Sequence, residues 1–373
     1  MVSIAILGFG IVGSGVAGVL TRNREQIDAS AGEAVRLKYI VDVRDFPDSP
    51  FAPMIIRDFS VVERDPDVRV VVETIGGCGV ALEFTRRALL AGKHVVTSNK
   101  ALVAAHGREL LELARLHNVN YFFEASVGGG IPVLRPLKFD LAGNRIIRIR
   151  GILNGTTNYI LTAMREERLS LEDALRIAQT RGYAEANPTD DLNGMDAARK
   201  LAILADLAWG REVRAEEIRR EGIEKVSLKD VECAARLGGK LKLVCEAELL
   251  PDGGLTAFVA PQVVMPGSML YAVDEAYNAV LVTGNAVGDV MFYGTGAGSE
   301  PTASAVVGDV IDAVRHRDRR RAINWSGDPA VLSEPSESSC RWFVRRGDIA
   351  VIEEQHPAAR SGEDAACCRV LEK

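Results

Sequence analysis

Ser3-Ile4-Ala5-Ile6-Leu7-Gly8-Phe9-Gly10-Ile11-Val12-Gly13 opens the chain with a short apolar, β-prone run that passes straight into a glycine-rich turn. The turn fits G-x-G-x-x-G, and the residues that follow to about Leu20 are compatible with a helix, so the unit reads strand, turn, helix. In that context Gly8 permits the tight turn, Gly10 lets backbone approach a pyrophosphate, and Gly13 allows close helix-to-strand packing. The helix N-terminus offers free N–H groups and a positive dipole end to phosphate. Gly8, Phe9, Gly10, Ile11, Val12 and Gly13 are therefore the expected dinucleotide loop. These glycines, with Gly15 and Gly18, also break up the uncharged stretch from Val2 to Thr21, and no basic segment precedes it. A signal peptide or membrane span is excluded on that ground, and a soluble protein is expected.

Working outward, a second strand at Leu37–Val41 ends at Asp42, where an acidic residue would hydrogen-bond the adenosine ribose. Asp42 lies further from Gly13 than the usual separation of about 20 residues, and the polar segment from Thr21 to Glu33 reads as a loop or helix extension that absorbs the difference. Arg44, two residues on, is placed to meet a 2′-phosphate, which leaves NADP and NAD both open. Strands at Val68–Glu73, His94–Thr97 and Tyr121–Phe123 alternate with helices at Ala81–Ala91 and Gly107–His117. Strands alternating with helices predict an α/β, Rossmann-type doubly wound parallel sheet over residues 1–135.

Past Pro132 and Pro136 the pattern changes. Arg145–Leu153 alternates charged and apolar residues, as a strand with one wet face does, and helices follow at Thr157–Glu167, Ser170–Arg181 and Met195–Trp209. Strands at Leu241–Leu249, Leu255–Val259 and Ala279–Val282 complete a second, α+β domain over residues 136–299. Within it, Gly182–Lys200 crowds Glu185, Asp190, Asp191, Asp196 and Lys200 into a turn-rich loop running into a helix. Asp196 and Lys200 are four apart and share a face. An exposed ion pair is the plain reading of that spacing, but Leu201-Ala202-Ile203-Leu204-Ala205 makes the helix apolar around most of its circumference, so its lysine must face a partner or a cleft. A helix at about 300–320 is expected to return to the first domain, and residues 326–373 form a short extension with two candidate strands, Cys340–Val344 and Asp348–Ile352.

Composition narrows the function classes. A net charge of -6 over 373 residues gives no reason to expect nucleic acid or an anionic membrane as partner. Six cysteines without metal-ligand spacing point to a reducing cytoplasm and no structural zinc.

Five separated motifs now agree: Gly8–Gly13, Thr97-Ser98-Asn99-Lys100, Gly151-Ile152-Leu153-Asn154-Gly155-Thr156-Thr157-Asn158-Tyr159, Gly182–Lys200, and Gly294–Ala305. Together, from residue 2 to about 320, the chain resembles the homoserine dehydrogenases. The resemblance implies NAD(P)-dependent interconversion of L-homoserine and L-aspartate 4-semialdehyde, on the way to threonine and methionine. It implies Lys200 as the catalytic lysine with Asp196, and Lys100 as a second lysine near nicotinamide and substrate. Glu185, Asp191, Asp196, Lys200, Asn154, Gly155 and Thr156 would bind the substrate. On sequence alone, Thr156 or Thr157 serves equally well as a simple N-cap. Gly76, Ser98, Lys100, Gly182, Gly296 and Gly298 resemble further cofactor contacts, with the active site in the cleft between domains. The segment Glu124–Ile131 resembles one whose backbone carbonyls at Glu124, Val127, Gly129 and Ile131 hold a sodium ion, although a Gly-rich hinge explains it as well. A homodimer or higher homo-oligomer formed through the second-domain sheet is also implied. The tail is too short for a complete ACT-type regulatory domain.

Two rivals differ in class. An aldehyde-oxidising dehydrogenase needs a cysteine nucleophile, and only Cys78 in Gly76-Gly77-Cys78-Gly79 offers one, with no histidine motif beside it. His94, His106, His117, His316 and His356 lack metal or triad spacing. A non-catalytic dinucleotide sensor would have lost the lysines and carboxylates, whereas Lys100, Glu185, Asp196 and Lys200 are all present.

Overall fold

The apolar run that begins the chain is strand β1 (Val2–Leu7), buried along its whole length. The structure, a computed structural model, describes residues 1–323, 325, 328–334, 340–354 and 365–372. After β1 come helices α1 (Ile11–Arg22) and α2 (Arg24–Ala31), strands β2 (Val35–Val41) and β3 (Ile55–Ile56), and helix α3 (Phe59–Arg64). Strand β4 (Val68–Glu73), α4 (Gly79–Leu90), β5 (His94–Thr97), α5 (Lys100–Leu116) and β6 (Tyr121–Phe122) follow. The six strands form one parallel sheet in the order β3-β2-β1-β4-β5-β6. That is the doubly wound order whose switch point lies between β1 and β4, where ligands bind at the carboxyl ends of the strands.

The second part of the chain runs β7 (Ile146–Ile152), α6 (Gly155–Glu167), α7 (Leu171–Thr180), α8 (Thr189–Leu192), α9 (Met195–Trp209), β8 (Arg219–Arg220) and α10 (Leu228–Arg236). Strands β9 (Lys240–Leu249), β10 (Leu255–Val264), β11 (Tyr277–Gly284) and β12 (Gly288–Thr295) complete its main body. Helix α11 (Ser299–Arg315) comes next, then β13 (Arg341–Arg346), β14 (Ile349–Glu353) and β15 (Ala365–Leu371).

Two units result. Met1–Asp140, Asp206–Glu212 and Ala297–Asp328 form the first, and Leu141–Ala205, Val213–Gly296 and Pro329–Lys373 the second. In the first, α11 supplies Val306, Val310 and Ala313 to a core shared with Ile4 and Ile6 of β1, Val16 of α1 and Val70 and Val72 of β4. In the second, a mixed sheet runs β12-β11-β7-β9-β10-β15-β13-β14, with β8 beside β10. Charges on β7 are matched across the ladder: Arg150 lies opposite Glu246 and bonds it at 2.5 Å.

Several boundaries differ from the sequence reading, each for a local reason. The segment from Thr21 to Glu33 is mostly helix, closed where Gly32 takes φ +79°. Helix α5 begins at Lys100 instead of Gly107, because Asn99 caps it by accepting from the Leu102 N–H at 3.1 Å. Gly107 sits inside that helix, where a Cβ would come 2.9 Å from Trp325. The turn-rich loop that runs into α9 contains the one-turn helix α8. Strand β10 continues through Pro261 to Val264, and β12 and β15 have no counterpart in the sequence reading. The tail is no separate appendage: β15 pairs in parallel with β10, and Leu371 enters the core formed by Ile152, Val244, Val264 and Leu270.

Candidate active site

In the first unit the glycine-rich loop is built by steric necessity. A Cβ on Gly13 would lie 2.0 Å from the Gly8 carbonyl oxygen, and Gly8 itself has φ +88° under the Thr74 carbonyl. At Gly10 the nearest atom to such a Cβ is an Arg44 nitrogen at 4.0 Å, so this glycine alone of the three opens onto free space. Gly10 is also the N-cap of α1 and provides no side-chain cap, leaving that helix end to an anion. This cradle fits the pyrophosphate of a dinucleotide. Ile11 is exposed and Val12 half-buried, but the Phe9 ring turns inward against Phe46 and Phe51 at 5.1 and 5.9 Å.

Asp42 ties the loop to β2. Its carboxylate accepts from the Phe9 N–H at 2.7 Å and from Arg44 N–H, Nε and Nη2 at 2.9, 3.0 and 2.9 Å. The Arg44 guanidinium, helped by the Phe9 and Arg44 N–H groups and opposed by burial, holds the Asp42 carboxyl down to about 2. The Arg44 side chain remains 60% exposed.

At the ends of β4 and β5, Gly76 lies on the turn into α4, Ser98 on the turn into α5, and Lys100 is the first residue of α5. A lysine at that helix end stands against the dipole. Gly298 is the N-cap of α11, with φ +115° and no side-chain cap bond. In the cation segment, Gly128 and Gly129 take φ +74° and +54°, and the Ile131 N–H donates to Gly128 O at 2.8 Å. The Glu124 carboxylate accepts from the Val133, Leu134 and Arg135 N–H groups at 2.6, 2.8 and 2.7 Å, and its carbonyl accepts from the Val127 N–H at 3.4 Å. The described residues contain no cluster of three or more His, Cys, Asp or Glu that could hold a metal. His94 is buried, and that burial lowers it to about 4. His356 lies outside the described residues. Cys78, at the N-cap of α4, is a free thiol.

In the second unit the bonds converge on Asn154, where β7 passes into α6. Its Oδ1 accepts from the Thr157 N–H and hydroxyl at 2.8 and 2.9 Å, so Asn154, and neither Thr156 nor Thr157, is the N-cap. Its Nδ2 donates to Asp191 Oδ1 at 2.6 Å and to Asp196 Oδ2 at 2.8 Å. Lys200 Nζ lies 2.8 Å from the same Asp196 oxygen and donates to the Leu153 carbonyl at 2.7 Å. Asp196 and Lys200 are 2% and 8% exposed, which decides against a solvated surface pair. The Gly155 backbone lies under the Ala276 carbonyl, and Thr156 donates to the Tyr183 carbonyl at 2.5 Å. Glu185 stands on the exposed part of the acidic loop beside Gly182, its carbonyl accepting from Gln179 at 3.1 Å, outside this set of bonds. The remaining carboxylate of the loop, Asp190, pairs with Arg199 at 2.5 Å.

Some residues that shape these sites have no motif. Thr74 holds the glycine loop by donating to the Leu7 and Gly8 carbonyls, both at 2.9 Å. Asn278 lies so close to Gly296 that a Cβ there would fall 1.7 Å from its Oδ1. Glu73 did carry a signal, a carboxylate directly after Val70-Val71-Val72 at the end of β4.

A nucleotide cradle at the switch point of a parallel sheet, with a buried lysine and paired carboxylates on a second α+β unit, defines an NAD(P)-dependent oxidoreductase. Residues 8–124 match the family model for the homoserine dehydrogenase NAD-binding domain and residues 132–311 the model for homoserine dehydrogenase. A homoserine dehydrogenase of Synechocystis sp. is 44% identical over 323 residues, covering 84% of this chain and 73% of the relative. One of Helicobacter pylori is 39% identical over 375 residues, covering 100% of this chain and 88% of the relative. The crystal structure of a homoserine dehydrogenase from Thiobacillus denitrificans matches with a TM-score of 0.85 at 38% identity, over 92% of this chain and 81% of that one. The chain belongs to the homoserine dehydrogenase family: it is an NAD(P)-dependent oxidoreductase of amino-acid biosynthesis that interconverts L-homoserine and L-aspartate 4-semialdehyde.

Proposed function

We propose that Lys200 exchanges the hydroxyl proton of homoserine, that Asp191 and Asp196 bind its ammonium group, and that Asn154 holds those two carboxylates in place. The bonded series Lys200–Asp196–Asn154–Asp191 carries this reading. Two carboxylates gathered on one amide nitrogen make a compact negative site that suits an ammonium ion. Lys200 has three donor positions; the Leu153 carbonyl and Asp196 occupy two and aim the third. In the oxidising direction Lys200 acts as the neutral amine, its lone pair at that third position taking the substrate hydroxyl proton, and in the reducing direction the resulting ammonium returns it. Glu185 adds a third acidic contact, while Gly155 and Thr156, at the N-terminal end of α6, receive the substrate carboxylate.

The bound nicotinamide supplies the hydride acceptor for oxidation and the donor for reduction. Gly8 to Gly13 and the α1 N-terminus hold the pyrophosphate, Arg44 meets the 2′-phosphate of NADP, and Gly76, Ser98, Lys100, Gly182, Gly296 and Gly298 complete the cofactor contacts. Lys100 stands beside the nicotinamide and substrate. Lys200→Ala is expected to lower kcat by roughly a thousandfold while the NADPH dissociation constant barely moves. Near-normal turnover would remove Lys200 from this role, and a wild-type protein that binds NADPH without turning over homoserine would be a sensor.

A sodium-class ion on the carbonyls of Glu124, Val127, Gly129 and Ile131 completes the first unit; equal turnover in sodium and tetramethylammonium buffers would count against it. The protein acts as a homodimer or larger homo-oligomer in the cytoplasm on small molecules, without a nucleic-acid partner. Six cysteines without metal-ligand spacing fit a reducing compartment and the net charge of -6 fits the absence of nucleic acid. No described helix is long and apolar enough to cross a membrane. Light scattering that gives the mass of one chain would remove the oligomer.

A further inference from the structure

Glu73 ends β4 at the carboxyl edge of the parallel sheet, after the buried Val70, Val71 and Val72, and is itself fully buried. An aliphatic side chain would fill the same space without the cost of burying a carboxylate. What the carboxylate does is accept from two different turns. Its Oε1 takes the Ile75 N–H at 2.6 Å, and its Oε2 takes the Thr97 hydroxyl at 2.6 Å. Thr97 Oγ1 in turn accepts from the Asn99 N–H at 2.9 Å, and Asn99 Nδ2 donates to the Gly77 carbonyl at 2.6 Å. The ring closes there: Glu73 to Thr97, Thr97 to Asn99, Asn99 to Gly77, and Gly77 through Gly76 and Ile75 back to Glu73. Asn99 also caps α5 through the Leu102 N–H, which fixes where Lys100 begins that helix.

We propose that Glu73 is a positioning residue, which locks the Ile75–Gly77 turn to the Thr97–Lys100 turn and so sets Lys100 and Gly76 against the bound cofactor. This rests on the reading that Lys100 and Gly76 face that cofactor. Glu73 touches neither substrate nor cofactor and works through the two turns. Burial pushes its carboxyl up, and the bonds it accepts from Thr97 and the Ile75 N–H oppose that rise without cancelling it.

The full-length protein is assayed with NADP and homoserine as Glu73→Leu, Glu73→Gln, Thr97→Val, Thr97→Ser and the Glu73→Leu/Thr97→Val pair. Glu73→Leu and Thr97→Val open the ring from opposite sides, and each is expected to lower kcat/KM for the cofactor, and to weaken NADPH binding read by fluorescence titration without homoserine, by about ten- to a hundredfold, the range for losing a buried hydrogen bond. The KM for homoserine should move less than the KM for the cofactor, because Asp191 and Asp196, which bind its ammonium group, lie in the other unit. The pair should be no worse than either single variant, because one broken ring cannot be broken twice. Glu73→Gln and Thr97→Ser, which can still bridge the turns, should recover most of the loss. Should Glu73→Leu fail to fold, Thr97→Val against Thr97→Ser makes the same comparison with a smaller change. Wild-type cofactor kinetics in a folded Glu73→Leu or Thr97→Val variant, or fully additive losses in the pair, would overturn the proposal. Lys100→Ala separates the two layers: an active Lys100→Ala enzyme refutes the role of Lys100 and this inference with it. An impaired Lys100→Ala beside normal Glu73→Leu and Thr97→Val refutes the inference alone.

Discussion

Asp42 accepts four hydrogen bonds from within the protein, one from Phe9 and three from Arg44. A carboxylate has about four lone-pair sites, so this one has none to spare for a ribose hydroxyl. The group left facing outward is the Arg44 guanidinium, which lies near Gly10. Arg44→Ala should therefore lower kcat/KM with NADP by about ten- to a hundredfold, the range for a charged hydrogen bond to phosphate. It should leave or improve kcat/KM with NAD, since Asp42 is then released to accept from the ribose. An unchanged ratio between the two cofactors would mean that Arg44 does not meet the 2′-phosphate. The sequence located both residues correctly at the end of a strand, but which of them holds free donors or acceptors depends on partners 33 and 2 positions away. Asn154 is a similar case. Its place in a strand-to-helix turn is legible, whereas its use as a bridge between Asp191 and Asp196 depends on a loop 37 to 42 residues further on.

At the scale of elements, the strand, loop and helix from Val2 to Arg22 were readable because each glycine answers a local steric demand, as the 2.0 Å approach at Gly13 shows. The loop is also an electrostatic unit. Asp42 titrates near 2 in the folded protein and near its ordinary value of 3.8 when unfolded. A depressed carboxyl contributes stability that is fully present above the unfolded value and is lost as pH falls through the folded one. Because Arg44 is largely exposed, solvent screening reduces the contribution to about 1–2 kcal/mol. Chemical unfolding of wild type against Asp42→Asn should show that margin above about pH 4, shrinking toward pH 2. A margin that does not depend on pH would refute the pairing. Helix α5 shows where element reading fails: Gly107 looks like a helix boundary by propensity, and only the Trp325 ring lying on it explains a glycine in the interior.

At the scale of the molecule, the last strands do more than extend the chain. Trp342, Phe343 and Leu371 are 6%, 0% and 5% exposed, and Arg345 meets Asp230 of α10 at 2.5 Å in a buried pair. At about 1.5–3 kcal/mol for each large apolar side chain, these three represent about 5–9 kcal/mol, comparable with the whole stability of an ordinary domain. Removal of residues 335–373 should therefore lower the Tm of the second unit sharply or cause aggregation, leaving NADPH binding by the first unit measurable by fluorescence titration. A truncated protein with wild-type Tm and turnover would show that the tail is dispensable. The sequence offered two of these strands as a small appendage and did not reveal the third, because Ala365–Leu371 is amphipathic only with respect to a sheet that other residues build.

By itself the sequence determined what depends on local chemistry: the parallel sheet through its alternating strands and helices, the nucleotide loop through its glycines, and the family through five motifs in order. Tertiary structure alone decided which polar atoms are spent inside the protein and which remain for ligands. It showed Asp42 saturated and Arg44 outward, Asn154 joining Asp191 to Asp196, Glu73 joining two turns, and β15 lying beside β10. The physical reason is that hydrogen bonds and burial join residues far apart in the chain, and a donor's partner cannot be read until both ends are placed in space.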